Sequence, residues 1–148
     1  MQRFEFPLDR VLDWRRKQRD LEESRLASCL QLLNAVDKRI ERLRDERASI
    51  DREPLRRSTI PAADLFNLSL YHVRVRKEEL ELAEERRRRL QSAAEQRARV
   101  QQAQQRVKLL EKMREGRLAE YTAAASREQE QAATESYLMR WPQSRRSN

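Results

Sequence analysis

The placement of the helix-breaking residues constrains this chain more than any other feature. Its 148 residues include one Gly and four Pro. Two Pro flank the segment 54–61, and Pro7 and Pro142 lie toward the two ends. Because Gly and Pro are the strongest interrupters of helices, the long segments 8–53 and 61–141 are predicted to be helical. The sequence thus predicts an all-α fold.

A short connection between two long helices favours antiparallel packing. We therefore expect one long antiparallel two-helix coiled coil, a helical hairpin, in which the second helix is longer than the first. The whole chain, 1–148, forms this single domain in the prediction. Helix one covers about 7–53, the turn 54–61, helix two about 61–140, and a short tail 141–148.

Composition agrees with this fold and limits the function. Charged residues make up 39% of the chain and aromatic residues 5%, which is typical of long helices and coiled coils. The net charge is +8, but 25 acidic residues lie among 33 basic ones. Such mixing favours an ion-paired helix surface over a nucleic-acid interface, so no nucleic-acid partner is expected. A single Cys, Cys29, and a single His indicate neither a disulfide framework nor a metal site.

No sequence motif for phosphate, metal or nucleophile chemistry is present, so we expect no cofactor and no enzymatic activity. No apolar run approaches the ~18 residues of a membrane span. The first ten residues lack the apolar region of a secretory signal. These observations predict a cytoplasmic protein.

Heptad spacing is clearest in helix one. Alternating steps of three and four residues connect Leu26, Cys29, Leu33, Val36, Ile40, Leu43, Arg47 and Ile50. This pattern predicts the seam of a coiled coil. A looser apolar stripe in another phase precedes it, and it places Trp14 in the core together with Leu8, Val11, Leu12 and Leu21.

In helix two the apolar residues predict a seam with a change of phase. The first part of this seam comprises Phe66, Val73, Leu80, Arg87 and Ala94, with Ala83 and Leu90 between them. A slip in phase then passes the stripe to Val100, Ala103, Val107, Leu110, Leu118 and Tyr121. Such a slip alters coiled-coil winding locally.

Some aromatic and apolar residues fall outside these seams. Tyr71 and Val75, near the turn, are interpreted either as a contact surface or as scattered exposed side chains. Trp141 is interpreted either as a docking anchor or as a single aromatic residue in a disordered tail.

Two terminal stretches resemble a known family. The opening FEFPLDRVLDWR, from Phe4 to Arg15, resembles the F-x-F-x-L-x-x-V-L-x-x-R start of the FliJ family of flagellar export proteins. The later stretch from Leu109 to Arg140 resembles that family's L-E-K-x-x-E-x-x-x-x-E-Y segment and the Glu/Gln-rich run after it. Its matching residues are Leu110, Glu111, Lys112, Glu115, Glu120 and Tyr121.

This resemblance implies a non-catalytic stalk and adaptor of the flagellar type III protein export apparatus. Members of the family are antiparallel coiled coils similar to the stalk of the rotary ATPase γ subunit. They insert into the hexameric export ATPase, promote its ring assembly, engage the membrane protein of the export gate through its cytoplasmic domain, and handle export chaperones. The implied location is the cytoplasmic face of the inner membrane at the flagellar base, with membrane association through partners.

Candidate contact residues follow from the resemblance. Those for the ATPase are Glu111, Arg114, Glu115, Arg117 and Tyr121, and those for the export gate are Tyr71 and Val75 with Leu43 and Ile50 as supports. Two other functions stay open at this point. They are the stalk of a virulence-type secretion system and a basic coiled coil that binds nucleic acid.

Overall fold

The computed structural model describes residues 2–144. Helix α1 runs Asp9–Arg52, a short 3-10 turn runs Pro54–Arg56, and helix α2 runs Ala62–Ser144. The two long helices contain 44 and 83 residues. No strand occurs among the described residues. The predicted all-α fold with a longer second helix is confirmed.

The helix boundaries differ slightly from the predicted ones. Helix α1 begins at Asp9, whose N–H donates to the carbonyl of Phe6 at 3.1 Å. Helix α2 continues through 141–144, which the sequence assigned to a tail, and the predicted tail positions 145–148 lie outside the described residues.

The chain divides into two compact units. Unit 2 comprises residues 19–102, and the described part of unit 1 comprises 2–18 and 103–144. Within unit 2, residue numbers rise along α1 as they fall along α2. The contacts that set this antiparallel register are Glu22 with Gln96, Asp37 with Arg86, Arg47 with Glu79, and Asp51 with His72.

The core of unit 2 is a small apolar cluster. Leu43, Val75 and Leu82 are buried, and Ile40 and Tyr71 pack against them. The seam residues predicted in α1 face inward. Val36 and Leu43 are buried, and the others are half-buried, namely Leu26, Cys29, Leu33, Ile40, Arg47 and Ile50. Arg47 keeps its charge compensated by Glu79, at 2.9 Å.

The seam predicted in the first part of α2 is wrong. Leu80 and Leu90 are exposed, and so are the other predicted members of that part, Phe66, Val73, Ala83, Arg87 and Ala94. The buried residues of α2 are instead Val75, Leu82, Ala93, Gln96, Val100 and Val107. Half-buried Glu79, Arg86, Arg89, Ala103, Leu110 and Arg114 complete alternating steps of four and three residues. One phase thus runs along the helix, and the predicted slip does not occur.

One amide is buried in the seam of unit 2. Gln96 is a buried polar residue, and its Nε2 donates to the backbone carbonyl of Glu22 at 3.1 Å and to the Glu22 carboxylate. A second bond to that carboxylate comes from Arg25, at 3.1 Å. A buried polar residue at a seam position favours the register in which its bonds are made.

Unit 1 pairs the N-terminal residues with α2. Phe6, Leu12 and Val107 are buried there. The predicted core position of Trp14 is wrong, because its side chain is 50% exposed. Val11 and Leu21 are exposed as well, and only Leu12 of the predicted N-terminal stripe is fully buried. Leu12 lies two heptads before Leu26, so it belongs to the phase of the α1 seam.

Candidate protein-interaction surfaces

The two sequence stretches that carry the family resemblance contact each other in unit 1. The ring of Phe4 lies 5.5 Å from that of Tyr121, and the Tyr121 hydroxyl donates to the carbonyl of Gln2 at 2.6 Å. The guanidinium of Arg114 lies over the Phe4 ring at 5.7 Å and donates to Asp9 at 3.2 Å. The N-terminal arm, residues 2–8, is therefore fastened to α2 by a tilted contact between two rings and by a hydrogen bond, and an ion pair joins the first residue of α1 to α2.

This arrangement separates the predicted ATPase-contacting residues into two groups. Arg114 and Tyr121 hold the N-terminal arm, and Glu111 pairs with Arg16 at 3.2 Å. The second group is exposed. Glu115 and Arg117 face solvent, and 70% of the Arg117 side chain is accessible. Arg117 also pairs with the exposed Glu120 of the next turn at 3.9 Å, and this surface pair does not involve the N-terminal residues.

Two of the four predicted gate-contacting residues near the turn are buried. Val75 is 2% exposed and lies in the core cluster with Leu43. Ile50 and Tyr71 are half-buried. The interpretation of Val75 as an exposed side chain is wrong, because the α2 seam was assigned to the wrong face.

Tyr71 itself is a core residue with an unusual hydroxyl. Its Oη is buried and has no hydrogen-bond partner in the part of the chain that the structure describes. Burial raises the pKa of Tyr71, and the nearby negative charge of Glu46 raises it further. The guanidinium of Arg74 lies 5.6 Å from the ring centre.

The apolar surface near the turn lies on the other side of α2. Val73 is 71% exposed, whereas Val75 is buried. Two residues along an α-helix correspond to roughly 200° of rotation, so these valines lie on opposite faces. On the face of Val73 lie further exposed apolar side chains at helical spacing. We call this set the outer stripe, and it comprises Phe66, Leu70, Val73 and Leu80.

Basic residues accompany the outer stripe. Arg74, Arg76 and Lys77 are exposed beside it. No Asp or Glu occurs in the sequence from 65 to 77. From Phe66 to Lys77 the stripe therefore combines an apolar face with positive charge, which fits an amphipathic helix with acidic flanks, whereas Leu80 lies next to Glu79 and Glu81. The sequence contains this signal in the i, i+4, i+7 spacing of Phe66, Leu70 and Val73, but the spacing alone does not say which face is inward.

A shallow groove lies where the connection meets the two helices in unit 2. Its volume is about 380 Å³, and its walls include Ile50, Ile60, Leu65 and Leu68. Arg57 bridges Glu53 and Asp64 beside it, at 3.1 and 3.2 Å. These ion pairs connect the two ends of the turn, and their three residues line the groove together with the aliphatic side chains.

The described residues contain neither a candidate metal site nor a candidate membrane-spanning helix. No group of three or more His, Cys, Asp or Glu is placed there to bind a metal ion. No helix in that part of the chain is both long and apolar enough to cross a membrane.

Comparison of the chain with protein-family models, with curated proteins and with solved structures finds no match.

Proposed function

We propose that this protein is a non-catalytic stalk and adaptor of a flagellar type III protein export apparatus. It inserts into the hexameric export ATPase, promotes assembly of the ring, and couples it to the cytoplasmic domain of an export-gate membrane protein. Export chaperones are further partners. In this proposal the chain acts at the cytoplasmic face of the inner membrane, at the flagellar base, and is held there through its partners.

One observation carries the proposal. The opening stretch from Phe4 to Arg15 and the later stretch from Leu109 to Arg140 resemble two motifs of one family, and 93 residues separate them in the sequence. In the structure they touch through Phe4 and Tyr121, Gln2 and Tyr121, and Asp9 and Arg114. These contacts place the two resembling stretches side by side in unit 1, which supports the proposal that they form one partner-binding end.

In this proposal, the exposed charges of unit 1 meet the ATPase. Glu115 and Arg117 are the exposed members of the predicted set, whereas the other three are half-buried. Exposed charges of this kind contribute mainly to association rate and specificity.

The outer stripe replaces the residues first assigned to the gate. Its four apolar side chains are exposed, and a helix with acidic flanks would cover them and pair with Arg74, Arg76 and Lys77. A few aromatic and aliphatic anchors of this kind supply most of the energy of a protein interface.

Purification of the chain with the export ATPase tests the proposal, with ring formation followed by electron microscopy. The chain should co-purify with the ATPase and increase the fraction of complete rings. Arg117→Glu should weaken this association, whereas the matched control Arg99→Glu, an equal change of charge at an exposed position of unit 2, should not. A chain that neither binds the ATPase nor changes its ring content would contradict the proposal.

A further inference from the structure

One side of unit 1 carries exposed apolar side chains from both helices. On α1, Trp14 is 50% exposed and Val11 is 41% exposed. On α2, Leu109 is 61% exposed and Met113 is 45% exposed. Single exposed apolar residues are common on proteins, whereas a group that shares one surface indicates an interaction site. The positions of these four around the two helices decide whether they share a surface.

Two ion pairs between the helices define the opposite side of unit 1. Arg114 donates to Asp9 at 3.2 Å, and Arg16 donates to Glu111 at 3.2 Å. Asp9 and Arg16 are seven residues apart, which is close to two full turns of α1. Both pairs therefore lie on the same side of the two helices, and we call it the ion-pair side.

The four apolar side chains lie away from the ion-pair side. Successive residues of an α-helix are rotated by about 100° around its axis. The two apolar residues of α1 lie two and five residues after Asp9, at about 160° and 140° from it. Those of α2 lie two residues before and two residues after Glu111, each at about 160° from it. We call the surface that the four share the apolar side.

Acidic residues are confined to the ion-pair side where the two helices are paired. The paired parts, 9–18 and 103–117, contain two acidic residues in each helix, and the two in each helix are four residues apart. They are Asp9, Asp13, Glu111 and Glu115. Because residues four apart lie on the same side of a helix, all four belong to the ion-pair side.

The apolar side carries basic residues instead. Arg117 follows Met113 by four residues and Arg106 precedes it by seven, and both arginines are exposed. Arg117 pairs at 3.9 Å with Glu120, the first acidic residue of α2 beyond the paired part. The apolar side therefore presents a net positive charge. It fits a protein segment that carries an apolar side chain beside acidic residues.

Trp14 is the largest side chain on the apolar side. The guanidinium of half-buried Arg15 lies 4.6 Å from the centre of the Trp14 ring, which is a cation–π contact. This contact orients the ring, while much of it stays exposed. Trp and Arg are among the residues most enriched at the energetic centres of protein interfaces. Trp14 and Arg117 on one side therefore favour a protein as the molecule that covers it.

We propose that the apolar side of unit 1 binds the export ATPase, with Trp14 as the central anchor and acidic residues of the ATPase opposite Arg106 and Arg117. This inference rests on the proposed function, and it adds an apolar contact to the charged one. Of the two exposed charges assigned to the ATPase, Arg117 lies on the apolar side and Glu115 on the ion-pair side. Arg117 should therefore contribute more to binding than Glu115.

Binding of the full chain to the purified ATPase tests the inference, with dissociation constants measured by surface plasmon resonance. The double variant Trp14→Ser, Met113→Ser should bind roughly tenfold or more weakly, because two apolar side chains covered in the complex are lost. The matched control Trp141→Ser, Met139→Ser changes the same residue types at exposed positions in the last turns of α2. The control should bind like the original chain, and circular dichroism should show equal helicity in all three proteins.

Oxidation of methionine gives a measurement that needs no substitution. A mild oxidant converts an exposed Met to its sulfoxide. Met113 and Met139 are both exposed in the free chain, so both should be oxidised there. In the complex with the ATPase, mass spectrometry should show Met113 protected and Met139 oxidised to the same extent as before.

Two kinds of result separate this inference from the proposed function. Equal binding by the two double variants, or equal oxidation of Met113 in the free and bound chain, would overturn the inference and leave the proposed function standing. An original chain that does not bind the ATPase would contradict the proposed function and the inference with it. A dimer of the chain alone that Trp14→Ser, Met113→Ser converts to monomers would assign the apolar side to a second copy and would also overturn the inference.

Discussion

Two tyrosines differ in what their hydroxyl groups contact. The Tyr121 hydroxyl donates to the carbonyl of Gln2, whereas the buried Tyr71 hydroxyl has no hydrogen-bond partner among the described residues. A buried polar group without a partner costs free energy, and a made hydrogen bond contributes about 1 kcal/mol. The same chemical change should therefore have different effects at the two positions.

We predict that Tyr121→Phe lowers the free energy of unfolding by about 1 kcal/mol, because one hydrogen bond to the N-terminal arm is lost. Tyr71→Phe should leave that free energy unchanged or raise it, because a buried hydroxyl without a partner is removed. Urea unfolding followed by circular dichroism measures both. A loss of stability in Tyr71→Phe as large as that in Tyr121→Phe would show that the Tyr71 hydroxyl is bonded in solution.

Tyr71 also gives a prediction for alkaline pH. Burial, and then the charge of Glu46, raise the pKa of Tyr71 above its ordinary value of 10.0. The unfolded chain therefore loses this proton at a lower pH than the folded chain does. Relative to Tyr71→Phe, the stability of the original chain is at its full value below pH 10.0 and falls as pH rises through the folded pKa. Unfolding measured from neutral to alkaline pH should show the original chain losing stability relative to Tyr71→Phe. A difference between the two proteins that does not change with pH would contradict this.

The two valines on opposite faces of α2 test the assignment of the seam. Val75→Ala should lower the free energy of unfolding by about 2 kcal/mol, because buried methyl groups are lost from the cluster with Leu43 and Leu82. Val73→Ala is the matched control and should change it by less than about 0.5 kcal/mol, since exposed substitutions have small effects. Equal losses in urea unfolding would mean that the seam lies elsewhere.

At the level of whole helices, α2 contains the one Gly of the chain. Gly116 lies in the helix interior, and a Cβ added to it would meet nothing within 4 Å. Gly116→Ala should raise the free energy of unfolding by about 0.5–1 kcal/mol, because Gly loses more backbone entropy than Ala in a helix. Urea unfolding provides the measurement. A decrease in stability would show that another group occupies the space beside Gly116.

The two helices also differ in how well their sequences predict their inward faces. In α1 the aliphatic residues themselves form the seam, so the steps between Leu33, Val36, Ile40 and Leu43 predict the correct face. In α2 several inward positions are charged, polar or small, such as Glu79, Arg86, Ala93 and Gln96. Hydrophobicity alone therefore does not identify the inward face of this helix. Glu79 and Arg86 form ion pairs with α1, and Gln96 donates a hydrogen bond to Glu22. Predicting these seam positions therefore requires knowledge of the facing helix.

Several large apolar side chains of α2 were assigned to the seam, although they lie on the outward face of the helix. Phe66, Val73 and Leu80 repeat every seven residues, as seam residues do, but they form the outer stripe. The contact between the N-terminal arm and α2 was predictable only in outline. Antiparallel packing brings the regions together, but the pairing of Arg114 with Asp9 depends on a register that spacing does not fix.

At the scale of the whole molecule, different exposed surfaces are proposed to bind different partners. In the proposed function, the exposed charges of unit 1 meet the ATPase and the outer stripe of unit 2 meets the export gate. Because these surfaces use different residues, each can be changed without removing the others. Substitutions on exposed faces should also leave the fold intact, which makes loss of binding interpretable.

The most direct test of the central claim, that the chain couples the export ATPase to the gate, is a double substitution in the outer stripe. Phe66→Ser with Val73→Ser should abolish binding to the cytoplasmic domain of the gate protein, as measured by pull-down. Cells whose only copy of the protein is this double variant should not be motile. Helicity and stimulation of the ATPase should stay unchanged. The control Leu21→Ser with Leu32→Ser, at exposed positions outside the stripe, should bind and swim normally. A stripe variant that still binds the gate protein and supports motility would contradict the account.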